Sequence, residues 1–480
     1  MTPRATPKQL SLEIPDPALA AALTTLVDRV AAAGGRALVV GGAVRDALLE
    51  RPAKDLDLEV YGLDPAALVA LVRTSFRIDL VGRSFGVLKL RDLPVDVSLP
   101  RRESKRGLGH KGFEIHCDPA MSVSEAAQRR DFTLNALAWD PRTGAVIDPV
   151  GGLADLQAGV LRHVSSRFAE DPLRVLRAMQ MAARFDLTVA PLTVALCRTI
   201  EPEGLARERI FDEWRKLVLR GRTPSRGLAF LRACGWLRQV PELAALEGCR
   251  QDPEWHPEGD VWTHTLHVMD AFAAERVGDP WEDLVVGFAC LCHDLGKPAT
   301  TFVDDDGRIR SPNHEAAGEA PARSFLHRLS ERSQLVEAVV PLVREHLKPI
   351  QLFTSDASPG AVRRLARRCG RIDRLVRLAR ADHRGRPPRP WDGFPAGDWL
   401  LARAQELAVA DRKPRPIVQG RHLIARGLAP GPHFGPLLEA CFDAQLDGVF
   451  DHLEGGLARL DKLLADATPA SGAGHRRSLC

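Results

Sequence analysis

The sequence predicts an α+β chain, with a mixed-sheet head followed by an all-helical remainder. Three observations predict it. Short apolar or alternating runs at 36–40, 55–60, 87–90 and 95–97 crowd into the first 150 residues, with helical stretches between them. After Gly151-Gly152 the strand signals nearly vanish, and helical periodicity runs from Glu170 onward. At 480 residues the chain has room for roughly three domains.

The elements follow in order. Residues 1–15 are polar and proline-containing, a loose lead-in. Residues 19–33 are an apolar-rich helix stopped by Gly34-Gly35. Residues 36–40 are a short buried strand entering Gly41-Gly42, and a helix restarts over 44–49. Residues 55–60 alternate acidic and apolar side chains, the mark of a half-buried strand. Candidate boundaries fall at Pro191, Pro224, Pro241 and the Pro- and Trp-rich stretch 387–395. The tail 468–480 is small, polar and basic, a composition that does not support a packed core.

Composition narrows the class. Net charge is +4 with a pI near 8.6, so a nucleic-acid surface has to be a local patch. Nine cysteines include no C-x-x-C, which argues against a zinc ribbon and a disulfide framework and for a reducing cytoplasm. There is no apolar leader and no apolar run long enough for a bilayer, so a membrane is not expected as a partner.

The first chemical constellation is Gly41-Gly-Ala-Val-Arg-Asp46 followed by Asp55-Leu-Asp57. Residues two apart on a strand share a face, roughly 6.6 Å apart along its axis. Asp55 and Asp57 therefore project side by side, while Leu56 and Leu58 face the core. Adjacent carboxylates repel unless a cation lies between them, which is the requirement of a two-Mg²⁺ phosphoryl-transfer site. Asp96, between Val95 and Val97, is the candidate third carboxylate. A strand running through Gly41-Gly42 into a helix offers backbone N–H groups to phosphate, and Arg45 adds a charged contact. Taken alone, a D-x-D is a solvated strand edge; the order of strand, Gly-Gly, helix and D-x-D points to catalysis.

The second is Arg129-Arg-Asp-Phe-Thr-Leu-Asn-Ala136, dense in groups that bind phosphate and ribose. Asp148-Pro-Val-Gly-Gly-Leu-Ala-Asp155 follows as a tight turn into a helix, and Glu170-Asp-Pro-Leu-Arg-Val-Leu-Arg177 comes next. Asp171 and Arg174 share a helical face, as do Arg174 and Arg177. An Asp beside an Arg can hydrogen-bond the Watson–Crick edge of a base without a template; the alternative is a surface ion pair.

Together these segments resemble the successive motifs of the bacterial class II tRNA nucleotidyltransferases, the family of CCA-adding enzymes and bacterial poly(A) polymerases. The resemblance runs from about residue 36 to about 385. It implies a nucleotidyltransferase head that uses CTP and ATP to extend tRNA, with Asp55 and Asp57 holding Mg²⁺ and Asp96 assisting as ligand or base. It implies nucleotide binding by Gly41, Gly42, Arg45, Arg130, Asp131, Asn135 and Arg177, and base selection by Glu170, Asp171 and Arg174. Residues 101–112, with Arg101, Arg102, Lys105, Arg106 and Lys111, match the family's flexible loop. Several relatives carry an Arg where this chain has Gln180, and residues 205–237, with Glu208-Arg209 and Lys216, match the helical neck more loosely.

The third constellation lies in helical sequence: His264, His293-Asp294, His314, His346 and Asp382. Imidazole and carboxylate donors in this number point to a buried divalent transition metal whose identity the ligand types leave open. Lys297, after Gly296, either steers phosphate or caps a helix. The pattern resembles the HD superfamily of metal-dependent phosphohydrolases, which implies that His264, His293, Asp294 and Asp382 carry the core motif and that His314 and His346 support a second metal. The expected organisation is a head at 16–165, a neck at 166–240, an HD domain at 241–390 and a helical tail at 391–467. The tail segments 416–423 and 427–432 either bind tRNA phosphates or pack helices. The rival readings are A-addition, CC-addition or poly(A) synthesis by the same motifs, an HD phosphohydrolase with a non-catalytic RNA-binding head, and a non-catalytic RNA chaperone. The chain carries no sign of its oligomeric state.

Overall fold

The structure, a computed structural model, describes residues 10–81, 87–105 and 113–467. The chain divides into two compact units, Met1–Pro241 and Glu242–Cys480. The first is α+β and the second almost wholly helical.

The first unit opens with helix α1 (Pro17–Ala32). Asp16 caps it by accepting from Ala18 N at 2.8 Å, and Pro17 presets the first turn. Its apolar face buries Leu19, Leu23, Leu26 and Val30. Strand β1 (Arg36–Val40) then leads into helix α2 (Gly42–Leu48), strand β2 (Leu56–Tyr61) and helix α3 (Pro65–Arg73). Strands β3 (Ile78–Val81), β4 (Val87–Leu90) and β5 (Val95–Ser98) follow, then a separate antiparallel pair, β6 (Arg101–Lys105) with β7 (Phe113–Cys117). Part of the segment expected to be a flexible loop is therefore strand; its residues 106–112, including Arg106 and Lys111, lie outside the described residues. Helix α4 (Val123–Ala127) and the short strands β8 (Ala138–Trp139) and β9 (Val146–Ile147) complete a seven-stranded sheet of order β3-β4-β5-β2-β1-β8-β9. All its pairings are antiparallel except β2 with β5. α1, α3 and the apolar side of the sheet enclose a core that includes Val39, Leu56, Leu58, Val60, Val72 and Val97.

Helices α5 (Gly152–Ala158), α6 (Leu173–Phe185), α7 (Pro191–Arg198), α8 (Arg207–Arg220) and α9 (Pro224–Ala233) finish this unit. Asp148 starts α5, accepting from Gly152 N at 2.7 Å and Leu153 N at 3.0 Å. α6 packs against both α8 and α9, and its buried face includes Val175, Met179 and Ala183.

In the second unit the helices Val261–Ala274, Pro280–Cys292, Ser333–Glu345 and Ile372–Arg384 pack around a buried polar centre. Toward the C-terminus, Val418 and Leu423 are buried with Cys441, Phe450 and Leu460 in a small core, so these tail residues pack helices. The eight described cysteines are all free, and six are buried. No helix among the described residues is long and apolar enough to cross a membrane.

Candidate active site

In the first unit, the pairing of β2 with β5 is the organising fact. Asp57 lies directly opposite Asp96 in a parallel register, with the buried pair Leu58 and Val97 next along the strands. Asp55, just before β2, is exposed like Asp57, while Leu56 and Leu58 are each 1% exposed. Displacement of water by the surrounding protein raises the Asp57 carboxyl above the usual range, and the negative charges of Asp96 and Asp55 raise it further. This is the electrostatic state of carboxylates that suit a cation. Lys89 Nζ sits 2.9 Å from Asp96 Oδ2 and partly supplies one. The three aspartates do not draw their oxygens within 4.8 Å of one another; among the described residues, the clusters that do so are in the second unit.

Gly41 joins β1 to α2 at φ +77°, a conformation that strains any residue with a Cβ. A Cβ there would lie 3.6 Å from both Asp57 Oδ2 and Arg130 Nη1, so the bare backbone forms the wall beside both groups. Beyond it opens a cleft of about 560 Å³. Gly41, Gly42, Asp57, Asp131, Asn135, Asp171, Gln180 and Met181 line it, together with eight arginines (45, 101, 129, 130, 174, 177, 184 and 220) and Lys216. That excess of cations over three aspartates matches a polyanion such as a triphosphate.

Hydrogen bonds hold the arginines. Arg45 donates to Asn135 Oδ1 at 2.5 Å and to Asp46 Oδ1 at 2.7 Å, and its guanidinium lies 4.3 Å from the centre of the Phe185 ring. Asp131 Oδ1 accepts from Phe132 N at 2.8 Å and Asn135 Nδ2 at 3.0 Å, and its Oδ2 faces Arg177 Nη2 at 2.7 Å. Burial works against the Asp131 charge, but Arg177 and these donors outweigh it and hold the carboxyl below its usual range. Arg174 is fixed by the carbonyl oxygens of Arg167 (2.8 Å) and Arg129 (2.7 Å), and Asp171 takes Arg209 at 2.9 Å. Glu170 ends a short 3-10 turn and is not among the residues lining the cleft, unlike Asp171 and Arg174. Gln180 lines the cleft with its Oε1 buried and unpartnered.

Three contributors escaped the sequence reading. Glu59 continues the Asp55–Asp57 face of β2 but is 1% exposed, and it accepts from Arg129, from Arg130 at 3.3 Å and from the Tyr61 hydroxyl at 2.7 Å. The period-two pattern was signal enough for it. Arg184 and Arg220 complete the cleft from α6 and α8; only the folded helix pair brings them there.

In the second unit, His264, His293, Asp294, His314, His346 and Asp382 converge, all buried. His264 Nε2 lies 3.1 Å from Asp382 Oδ1, His293 Nε2 lies 3.2 Å from Asp294 Oδ2, and His314 Nε2 lies 3.3 Å from both Asp294 Oδ1 and His346 Nε2. His293, His314 and His346 direct Nδ1 at the carbonyl oxygens of Cys290, Ser311 and Val343, at 2.7–2.8 Å. That bond keeps the proton on Nδ1 and leaves the Nε2 lone pair facing the centre. His293 Nε2 is buried without a hydrogen-bond partner, and the facing His314 and His346 Nε2 atoms both offer lone pairs. Such a donor set fits a divalent metal. Burial, with His293 and His314 alongside, pushes His346 down to about 3, so its imidazole stays neutral. Lys297 directs Nζ at Asp294 (2.8 Å) and Gln251 (2.7 Å) rather than at a helix-end carbonyl. Glu258 and His256, missed in the sequence, stand behind His264.

Comparison with known proteins agrees with both halves. The Poly A polymerase head domain family matches residues 37–162, and the HD domain family matches residues 261–413. The Multifunctional CCA protein of Stenotrophomonas maltophilia (strain R551-3) is 39% identical over 417 residues, covering 83% of this chain and 96% of that one. That of Xylella fastidiosa (strain M23) is 39% identical over 392 residues, covering 78% and 91%. Among solved structures, the Bacillus stearothermophilus CCA-adding enzyme in complex with CTP shares the fold with a TM-score of 0.61 at 23% identity, covering 94% of this chain and 98% of that one. The Thermotoga maritima CCA-adding enzyme complexed with tRNA shares it with a TM-score of 0.57 at 19% identity, covering 94% and 96%. The chain belongs to the multifunctional CCA protein family, with a poly(A) polymerase-type head and an HD domain in one polypeptide.

Proposed function

We propose that this chain adds the sequence CCA to the 3′ end of tRNA, taking CMP from CTP and AMP from ATP and releasing pyrophosphate. The observation that carries this is the register of Asp57 beside Asp96 at the edge of a cleft lined by nine cationic side chains. The tRNA 3′-hydroxyl attacks the α-phosphorus, its proton leaves to a base, and the bond to the pyrophosphate oxygen breaks. Asp55 and Asp57 would hold Mg²⁺, with Asp96 as further ligand or base; when bound, Mg²⁺ neutralises the leaving pyrophosphate and makes the hydroxyl more acidic. Gly41, Gly42, Arg45, Arg130 and Arg177 would hold the triphosphate, with Asp131 and Asn135 fixing Arg177 and Arg45. Glu170, Asp171 and Arg174 would select the base, although Glu170 stands outside the cleft lining. The parts are a head over 16–165, a neck over 166–240, an HD domain over 241–390 and a tail over 391–467, acting in the cytoplasm.

A second activity is favoured by the unpartnered His293 Nε2 and by the facing lone pairs of His314 and His346. The HD domain would hold a divalent transition metal through His264, His293, Asp294 and Asp382, with His314 and His346 supporting a second metal, and hydrolyse phosphate or cyclic phosphate at nucleotide ends.

The test is single-nucleotide gel analysis of a tRNA ending just before CCA, with Mg²⁺ and CTP, ATP or both, beside a tRNA ending in CC given ATP alone. Addition of two C and then one A supports the proposal. Extension of only the CC-ended RNA would make it an A-adding enzyme, a stop after CC with both nucleotides a CC-adding one, and a long ladder with ATP a poly(A) polymerase.

A further inference from the structure

Three of the four buried histidines facing the HD centre take their Nδ1 support from the carbonyl three residues back; the fourth faces a more distant backbone carbonyl and a carboxylate. His293, His314 and His346 each follow a helical or turn segment whose carbonyl three residues back accepts from Nδ1. His264 stands in the first turns of the helix Val261–Ala274, and its ring reaches away from that helix. Its Nε2 faces Asp382 at 3.1 Å, and its Nδ1 faces Glu258 Oε1 at 2.7 Å and the Gly385 carbonyl oxygen at 3.1 Å. The Glu258 and His264 side chains are both 0% exposed.

We propose that Glu258 is a positioning residue for metal binding: its carboxylate shares the Nδ1 proton of His264 with the Gly385 carbonyl oxygen, helps fix the tautomer that turns Nε2 to the metal, and makes that nitrogen a stronger donor. The inference rests on the reading of the buried histidines as a metal centre. A carboxylate behind a ligating imidazole raises its basicity more than a neutral carbonyl does. His256 holds the carboxylate in place. Its Nδ1 lies 2.8 Å from the same Glu258 oxygen, and its ring packs edge-on to that of His264 with centroids 4.8 Å apart.

The cluster of His256, Glu258 and His264 also has the spacing of a metal site of its own. Two features speak for the supporting role. A metal on His264 Nδ1 would require an imidazolate, because Nε2 is already committed to the Asp382 side. And one oxygen, Oε1, faces both imidazoles at 2.7–2.8 Å, the spacing of N–H···O hydrogen bonds rather than of ligands around an ion.

The test is titration of the metal-free full-length chain with Co²⁺ alone, followed by calorimetry and by the visible absorption of imidazole-bound cobalt. Glu258→Gln keeps an oxygen for the Nδ1 proton and removes only the charge. It is expected to weaken Co²⁺ binding about 10–100-fold in a chain that still folds, with unchanged stoichiometry. His256→Gln, which leaves Glu258 in place but loosened, is expected to weaken binding less, and it serves as the test if the first variant does not fold. Unchanged affinity and absorption in folded variants would overturn the proposal. Loss of one whole equivalent, with the remaining affinity untouched, would also overturn it, by making the cluster a metal site in its own right. A wild-type chain that takes up no cobalt with imidazole character would instead sink the underlying metal reading.

Discussion

Asp57 and Asp96 stand opposite each other in the one parallel strand pair of the head's seven-stranded sheet. Repulsion from Asp96, added to the loss of water, lifts the Asp57 carboxyl, so its ionised form is unfavourable to the folded chain without a cation. Ionisation then costs stability as the pH rises from the ordinary aspartate range through the raised value. Asp57→Asn removes that cost, and in Mg²⁺-free buffer at neutral pH it is expected to melt no lower than the wild type. A marked drop in its melting temperature would contradict this assignment.

Glu59 anchors the paired arginines. Its carboxyl is held below the usual glutamate range: burial opposes the charge, and Arg130, Arg129 and the Tyr61 hydroxyl outweigh that. A lowered folded pKa gives stability that is present above the unfolded value and lost as pH falls through the folded one. Glu59→Gln is therefore expected to cost about 1–3 kcal/mol at pH 7. The gap to wild type should close below about pH 4. Denaturant unfolding at a series of pH values checks it. The Michaelis constant for nucleotide should rise as well, because Arg130 loses its anchor.

Arg174 is locked by two backbone carbonyls at the cleft wall beside Asp171. The proposed function makes it a base-selecting group. Arg174→Ala is expected to lower the preference for CTP over UTP by about 10-fold or more, the scale of one lost charged hydrogen bond to a base. Single-turnover addition with each nucleotide measures it. An unchanged preference with a uniformly slower rate would reduce Arg174 to a structural role.

Gly296 follows the His293-Asp294 pair and backs directly onto the carbonyl of His314. A methyl there would collide with that oxygen and come 2.5 Å from Gly318 N, so the His314 segment has to move. Gly296→Ala is expected to destabilise the second unit by about 1–3 kcal/mol. It should also weaken metal uptake at the histidine centre while leaving nucleotide addition by the head intact. Metal titration and tRNA extension on the same preparation separate the two effects.

Much of the head was legible because its signals are local. The run at 36–40 is β1 and that at 87–90 is β4, and the alternation at 55–60 is β2 displaced by one residue. The Asp55–Asp57 face followed from the two-residue period, and Asp96 from its apolar neighbours. What escaped depended on tertiary packing. β8 and β9 are two residues each, too short for any pattern to register. Arg184 and Arg220 sit on different helices and look like surface charges until α6 and α8 meet. Glu59 was readable as the next residue on the aspartate face, but an acidic side chain in a strand gives no sign of being buried. In the second unit the histidines stood out by type and number. Glu258, one carboxylate among many, gained meaning only from its 2.7 Å approach to His264.

The most direct test of the central claim is addition to a tRNA ending just before CCA, comparing wild type with Asp57→Asn in Mg²⁺ with CTP and ATP. The account predicts that the wild type completes CCA. It predicts that the folded variant, still able to take up cobalt at its histidine centre, is slower by about 10³-fold or more. A wild type that adds nothing, or a variant that matches it, would contradict the account.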